Sequence, residues 1–159
     1  MSLAKVAEAR FQEGYSCSQS VFSALAEPRG IDPAVSLRIA AGFGGGMARS
    51  AATCGCVTGA IMAIGLAQRG ISAAENRSEK ERTYEAARQF MRAFEERNGS
   101  LVCAELLGCN ISTPEGLAQA RQEKLFQSRC PKFVRDAVEI VQNMTAAGTL
   151  SGQLLNSTR

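Results

Sequence analysis

The sequence predicts an all-α protein: a single-domain helical bundle of about six to eight helices with a glycine-rich loop near residues 42–47. Three observations carry that expectation. Strand-like alternation is nearly absent, apolar residues recur at helical spacing, and Ser, Thr, Asp, Pro and Gly stand where helices should start and stop.

A first helix is expected from about Leu3 to Gln12, ending at Gly14. Ser16 and Gln19 form a capping box that starts a second helix at Cys17, which runs to about Glu27 and is stopped by Pro28 and Gly30. Cys17, Val21 and Ala24 share one face of it. Asp32 and Pro33 open a short helix to about Ala41. The loop Gly42-Phe43-Gly44-Gly45-Gly46-Met47 lacks the Gly-Lys-Ser/Thr ending of a phosphate-binding loop and the strand and third glycine of a dinucleotide fingerprint. It reads either as a tight connection or as a segment whose Gly44, Gly45 and Gly46 line a site.

Thr53 is expected to cap a helix from Cys54 to about Gln68, with Gly55, Gly59 and Ala63 forming a small-residue face for close packing. Gly70 ends it, and the box Ser72 to Glu75 starts the longest helix, to about Arg97, with Tyr84, Ala87, Met91 and Phe94 as its core stripe. Gly99 stops that helix, and Ser100 is placed to cap a short turn containing Cys103 and Cys109. Thr113-Pro114 opens another short segment. Cys130 is expected to cap the last helix, which begins at Pro131 and buries Val134, Ala137, Val138, Val141 and Met144. The domain is therefore expected over residues 1–147, with a polar tail over 148–159 that frays.

Composition narrows the function. A chain of 159 residues with 45% hydrophobic and 21% charged residues is an ordinary globular domain. Its net charge of +3 is scattered, and with two Tyr, seven Phe and no RNA-binding motif it offers no nucleic-acid surface. The most apolar stretch, Ala51 to Ala67, carries glycines and is too short for a membrane span. The opening MSLAKVAEAR lacks an apolar signal region, so the expected location is the cytoplasm, where six cysteines serve as ligands or redox thiols more often than as disulfides.

The placement of those cysteines is the main chemical signal. Cys17, Cys54, Cys103 and Cys130 each fall at or within the first turn of an expected helix, where unpaired N–H groups and the positive end of the helix dipole favour a thiolate. No histidine is present, which removes Cys–His nucleophile pairs and mixed Cys/His zinc sites. The long spacings match no local zinc, ferredoxin or thioredoxin motif. Cys56 would lie about 200° from Cys54 on a regular helix, so both can serve one ligand only across an irregular turn. Cys56 and Cys109 are therefore secondary candidates, and Cys109 has a local disulfide to Cys103 as an alternative. Glu105 reads as a helix-dipole or solvated group before a ligand.

The segments Tyr15-Ser16-Cys17-Ser18-Gln19-Ser20-Val21, Gly42 to Met47, Cys54-Gly55-Cys56-Val57-Thr58-Gly59-Ala60, Cys103 to Gly108 and Cys130 to Val134 together resemble the C-GCAxxG-C-C family of redox-active proteins, over nearly the whole chain. The resemblance implies that Cys17, Cys54, Cys103 and Cys130 are the family cysteines. Cys56 departs from it, standing where the Cys-Gly-Ala-x-x-Gly motif has Ala. The family is similar to a domain of the split-Soret cytochromes, but no C-x-x-C-H site exists here, so no covalent c-type haem is expected.

Three functions compete at this level. The leading one is a redox protein whose converging cysteines bind an iron–sulfur cluster or another thiophilic metal for electron transfer with an unidentified redox partner. The second is a metal-free thiol–disulfide protein, with Cys54 attacking and Cys17 or Cys103 resolving. The third is a helical interaction or scaffold protein with buried packing cysteines. A homo-oligomer is compatible with each.

Overall fold

The computed structural model describes residues 1–69 and 72–150. These form α1 (Leu3–Gln12), α2 (Cys17–Ala26), α3 (Pro33–Ala40), α4 (Gly55–Gly65), α5 (Ala73–Asn98), α6 (Cys103–Leu107), α7 (Pro114–Gln122), α8 (Leu125–Ser128) and α9 (Cys130–Ala146). Short 3-10 turns follow α2 and α3. The chain is all-α, and extended pairing among the described residues is confined to an isolated bridge between Thr53 and Val102. No described helix is long and apolar enough to cross a membrane.

Helix α2 is the central element and packs on α1, α3, α4 and α9. Its apolar side chains Val21, Phe22, Ala24 and Leu25 are buried, and so are Ser18, Ser20 and Ser23. Those hydroxyls stay satisfied: Ser18 donates to Ala40 O at 2.9 Å, Ser20 to Ser16 O at 2.8 Å, and Ser23 accepts from Arg10 Nη1 at 2.9 Å. The box at Ser16 and Gln19 forms as expected.

Helix α4 meets α2 along its glycine face. A Cβ on Gly59 would lie 2.8 Å from Ser18 O, closer than a side chain can come. Helix α4 ends at Gly65, short of the expected Gln68, and Gly70 lies outside the described residues. In α5 the capping box at Ser72 forms, but the core stripe differs from the expected one. Ala86, Phe90 and Phe94 are buried while Tyr84 is 51% exposed. The helix turns so that both Phe rings, with centroids 5.9 Å apart, enter the core.

Helix α9 closes the bundle, burying Phe133, Val134, Ala137, Val138, Ile140 and Val141, while Met144 is only partly buried. Arg135 pairs with Glu8 at 2.6 Å, which ties α9 to α1. Gly148 turns the chain with φ 76°, and Leu150 packs in the core at 3% exposure. Residues 151–159 of the expected tail lie outside the described residues.

The apolar interior is divided. The larger cluster joins α1, α2, α4, α5 and α9, and a smaller one gathers Cys103, Leu107, Ile111, Ala120 and Leu125 from α6 to α8. Helix α8, which the sequence does not predict, follows Lys124 in a left-handed conformation at φ 53°. It connects α7 to α9.

Candidate functional site

Four helix starts, those of α2, α4, α6 and α9, each place a sulfur, though by different local means. Cys17 is the first residue of α2, inside the capping box. Cys54 is not the first residue of α4 as expected: it is the cap residue itself, outside the helix at φ −55° and ψ 136°, and Thr53 pairs with Val102 instead of capping. The reason is long-range. Cys54 N–H donates to Leu101 O at 2.8 Å, and Cys103 N–H donates to Ala52 O at 2.7 Å, so two chain segments are laid side by side before their helices begin.

The same pairing moves Cys103 to the first position of α6, with Val102 as its cap. Ser100 accepts from Val102 N–H at 2.9 Å and donates to Glu105, so it caps no helix at Cys103. Glu105 is thereby engaged by a hydroxyl. Cys130 is likewise the first residue of α9 and not its cap, with Pro131 second.

Because Cys54 sits outside the helix, the 200° separation from Cys56 does not apply. The sulfurs of Cys17, Cys54 and Cys56 all lie within 4.8 Å of one another. This group is tight because Gly55 has no side chain: a Cβ there would lie 2.4 Å from Cys17 Sγ and 2.9 Å from Ser18 N. Cys103 and Cys130 are not in the three-sulfur group, but they line the same cavity of about 920 Å³ together with Cys17, Cys54 and Cys56. Cys109 does not line it and packs in the smaller apolar cluster. All six cysteines are free thiols, including the pair Cys103 and Cys109.

The glycine-rich loop forms part of the cavity wall through Gly44 and Gly45. Gly46 does not line it; it is buried against Ala51 and Ala52, where a Cβ would be 2.6 Å from Ala52 N. The segment then continues in an uncommon conformation. Gly45, Gly46, Met47, Ala48 and Arg49 have φ of 64°, 72°, 65°, 49° and 60°, and Ala51 follows at 59°. Backbone bonds from Ala48 N–H to Gly42 O and from Ala51 N–H to Gly45 O hold this left-handed turn. Left-handed backbone costs an L-residue about 1–2 kcal/mol, so the segment is strained at Met47, Ala48, Arg49 and Ala51, beside the sulfurs.

Electrostatics differentiate the thiols. Hydrogen bonding from Cys54 and then Cys56, together with the backbone N–H groups of Gly45 and Ser18, holds Cys17 well below the usual thiol range despite its burial. Cys54, which donates to that thiolate, is pushed up. Burial first, and then the neighbouring sulfurs, raises Cys56. Burial pushes Cys103 and Cys130 up to about 12, with the charge on Cys17 adding to both. Cys17 is therefore the sulfur most biased to the thiolate, and the sulfurs around it are biased to keep their protons.

Sequence reasoning placed Cys17, Cys54, Cys103 and Cys130 foremost, and all four face one cavity. Cys56, a secondary candidate from sequence because Thr53 is by type the better cap, joins Cys17 and Cys54 across the irregular start of α4. Sequence reasoning passed over Arg49 and Arg121, which line the cavity from the left-handed turn and from α7.

The model of the family described as "putative redox-active protein (C_GCAxxG_C_C)" matches residues 15–144. No curated protein and no solved structure matches the chain.

Proposed function

The chain belongs to the C_GCAxxG_C_C family, and from that premise we propose that it is a metal-dependent redox protein whose centre is held by Cys17, Cys54 and Cys56. The observation that carries this reading is the convergence of three sulfurs within 4.8 Å on the wall of a cavity that Cys103 and Cys130 also face.

The donor set fits such a group. Three soft sulfurs, with no histidine in the chain and no carboxylate residue among those lining the cavity, favour iron–sulfur clusters, Zn or Cu(I) over hard cations. Cys17 is already biased to the thiolate that ligation needs. Cys103 and Cys130 keep their protons in the metal-free protein, and a nearby cation would draw either into ligation as a fourth thiolate. The cavity has room for a single ion or for an iron–sulfur cluster. When bound, such a cluster supplies one-electron transfer; Gly45 and Ser18 N–H groups orient and stabilise the Cys17 sulfur, and the apolar wall limits water.

The contrast between Cys17 and Cys54 supports a second reading. A low-pKa thiol beside a high-pKa one suits exchange with a partner disulfide: Cys17 attacks it, Cys54 then displaces the mixed disulfide to close one Cys17–Cys54 S–S bond, and the two electrons and the Cys54 proton leave with the partner as one thiol and one thiolate.

Anaerobic purification, followed by reconstitution with ferrous iron and sulfide, separates the two. The metal reading expects stoichiometric iron and sulfide with sulfur-to-iron charge-transfer absorption. A colourless product that gains two thiols on reduction would overturn it in favour of the dithiol reading. Thiols that react only after denaturation would remove both.

A further inference from the structure

The cavity of about 920 Å³ falls in the range that proteins use for organic ligands, and three sulfurs with a metal occupy only part of it. Much of the remaining wall is apolar, with Leu106, Ile111, Phe126 and Phe133. The charged residues that line it are Arg49 and Arg121; among the described residues no Asp, Glu or Lys does so.

These two arginines differ from most others in the chain. Arg10, Arg97 and Arg135 each hold a carboxylate. Arg49 and Arg121 are exposed at the cavity, and their guanidinium groups have no hydrogen bond or ion pair to the described residues. They come from segments 72 positions apart in the numbering, one in the strained turn and one in α7. A merely solvated arginine needs no left-handed backbone, whereas strain retained beside a cavity is common where a side chain must be aimed.

We propose that the cavity binds a small organic anion, with its charged group at Arg49 and Arg121 and its apolar body against Leu106, Ile111, Phe126 and Phe133, next to the sulfurs. Guanidinium groups hold carboxylate, sulfonate and phosphate oxygens through paired N–H donors. The apolar wall gives no such welcome to a bare, strongly hydrated inorganic anion, and the cationic mouth disfavours cations. The competing assignment, that the arginines merely offset thiolate charge, predicts no role in ligand affinity.

The test uses the full-length, metal-free, reduced protein and two fluorescent probes of similar shape, the anion 8-anilinonaphthalene-1-sulfonate and the neutral N-phenyl-1-naphthylamine. The expected result is one site that binds the anion at least tenfold more tightly than the neutral probe. Arg49→Gln and Arg121→Gln should each weaken the anion severalfold, and together tenfold or more, with the neutral probe unchanged and circular dichroism confirming the fold. Equal affinity for the probes, several equivalent sites, or unchanged anion affinity in the double variant would overturn the proposal. Since no metal is present, the outcome stands apart from the metal reading: a protein can pass this test and take up no iron, or take up iron and fail it.

Discussion

The sulfur of Cys17 occupies the space a side chain on Gly55 would need, since a Cβ there would lie 2.4 Å from it. The two residues lie on α2 and at the start of α4, so the approach of those helices and the formation of the three-sulfur group are one event. Gly55→Ala should therefore separate Cys17 from Cys54 and Cys56 as well as strain the core. The expected cost is about 1–3 kcal/mol in urea unfolding, as for other overpacked interiors, together with loss of thiolate-to-cobalt charge-transfer absorption when Co²⁺ is added. Cobalt absorption equal to that of the unaltered chain would refute this coupling.

Cys56 should behave as a member of the site and Cys109 as a packing residue. Cys17→Ser, Cys54→Ser and Cys56→Ser are each expected to lower Co²⁺ affinity tenfold or more, in line with loss of a sulfur donor from a small set. Cys109→Ser should leave affinity within about twofold and act only through the smaller apolar cluster. Equal losses for Cys56 and Cys109 would contradict the geometry.

Alkaline pH should destabilise the metal-free protein. Cys103 and Cys130 titrate near 12 in the folded chain, against about 8.5 for a free thiol. Between those values the unfolded chain has released protons that the folded chain keeps, so stability falls as pH rises. Cys56 and Cys54 are raised as well and act in the same sense. Cys17 acts oppositely: its depressed value gives stability that is present above the ordinary thiol value and lost as pH falls through its folded value. Above the ordinary thiol value the Cys17 contribution is constant, so the raised thiols set the slope, and Tm is expected to drop by several degrees between about pH 8.5 and 10.5. The double variant Cys103→Ser, Cys130→Ser should show a shallower drop; identical slopes would remove those two thiols from the account.

Strain in the left-handed turn should be measurable. Ala48 is exposed and has φ 49°, so replacing it by glycine removes the steric cost and loses little packing. Offset by the greater freedom of glycine in the unfolded chain, the net gain of Ala48→Gly should be up to about 1 kcal/mol. A loss of stability in thermal unfolding would mean that the turn is not strained there.

What the sequence disclosed was mostly local. The boxes at Ser16 and Ser72 and the proline starts at Pro33 and Pro114 depend on neighbours within a few residues, and each forms where expected. The start of α4 depends on Leu101, some fifty residues away, through the bond from Cys54 N–H. No local pattern carries that information, so the sequence places the cap at Thr53 and ranks Cys56 only as a secondary candidate. The same holds for the left-handed run at Met47, Ala48 and Arg49, whose residue types do not favour positive φ. Tyr84 shows a subtler limit: its spacing fits a helical stripe, but the large Phe90 and Phe94 decide which side of α5 faces inward.

The small bridge between Thr53 and Val102 also determines how far the molecule can be divided. Residues 15–60 contain Cys17, Cys54 and Cys56, the strained turn, and the Gly55 and Gly59 contacts between α2 and α4. The opposite wall of the cavity, with Cys103, Ile111, Phe126 and Cys130, comes from the later half of the chain. The bridge is the seam between them. A stretch of under fifty residues thus carries the three sulfurs, but the later half of the chain fixes the start of α4 through Leu101 and supplies the opposite wall, so neither half makes the site alone.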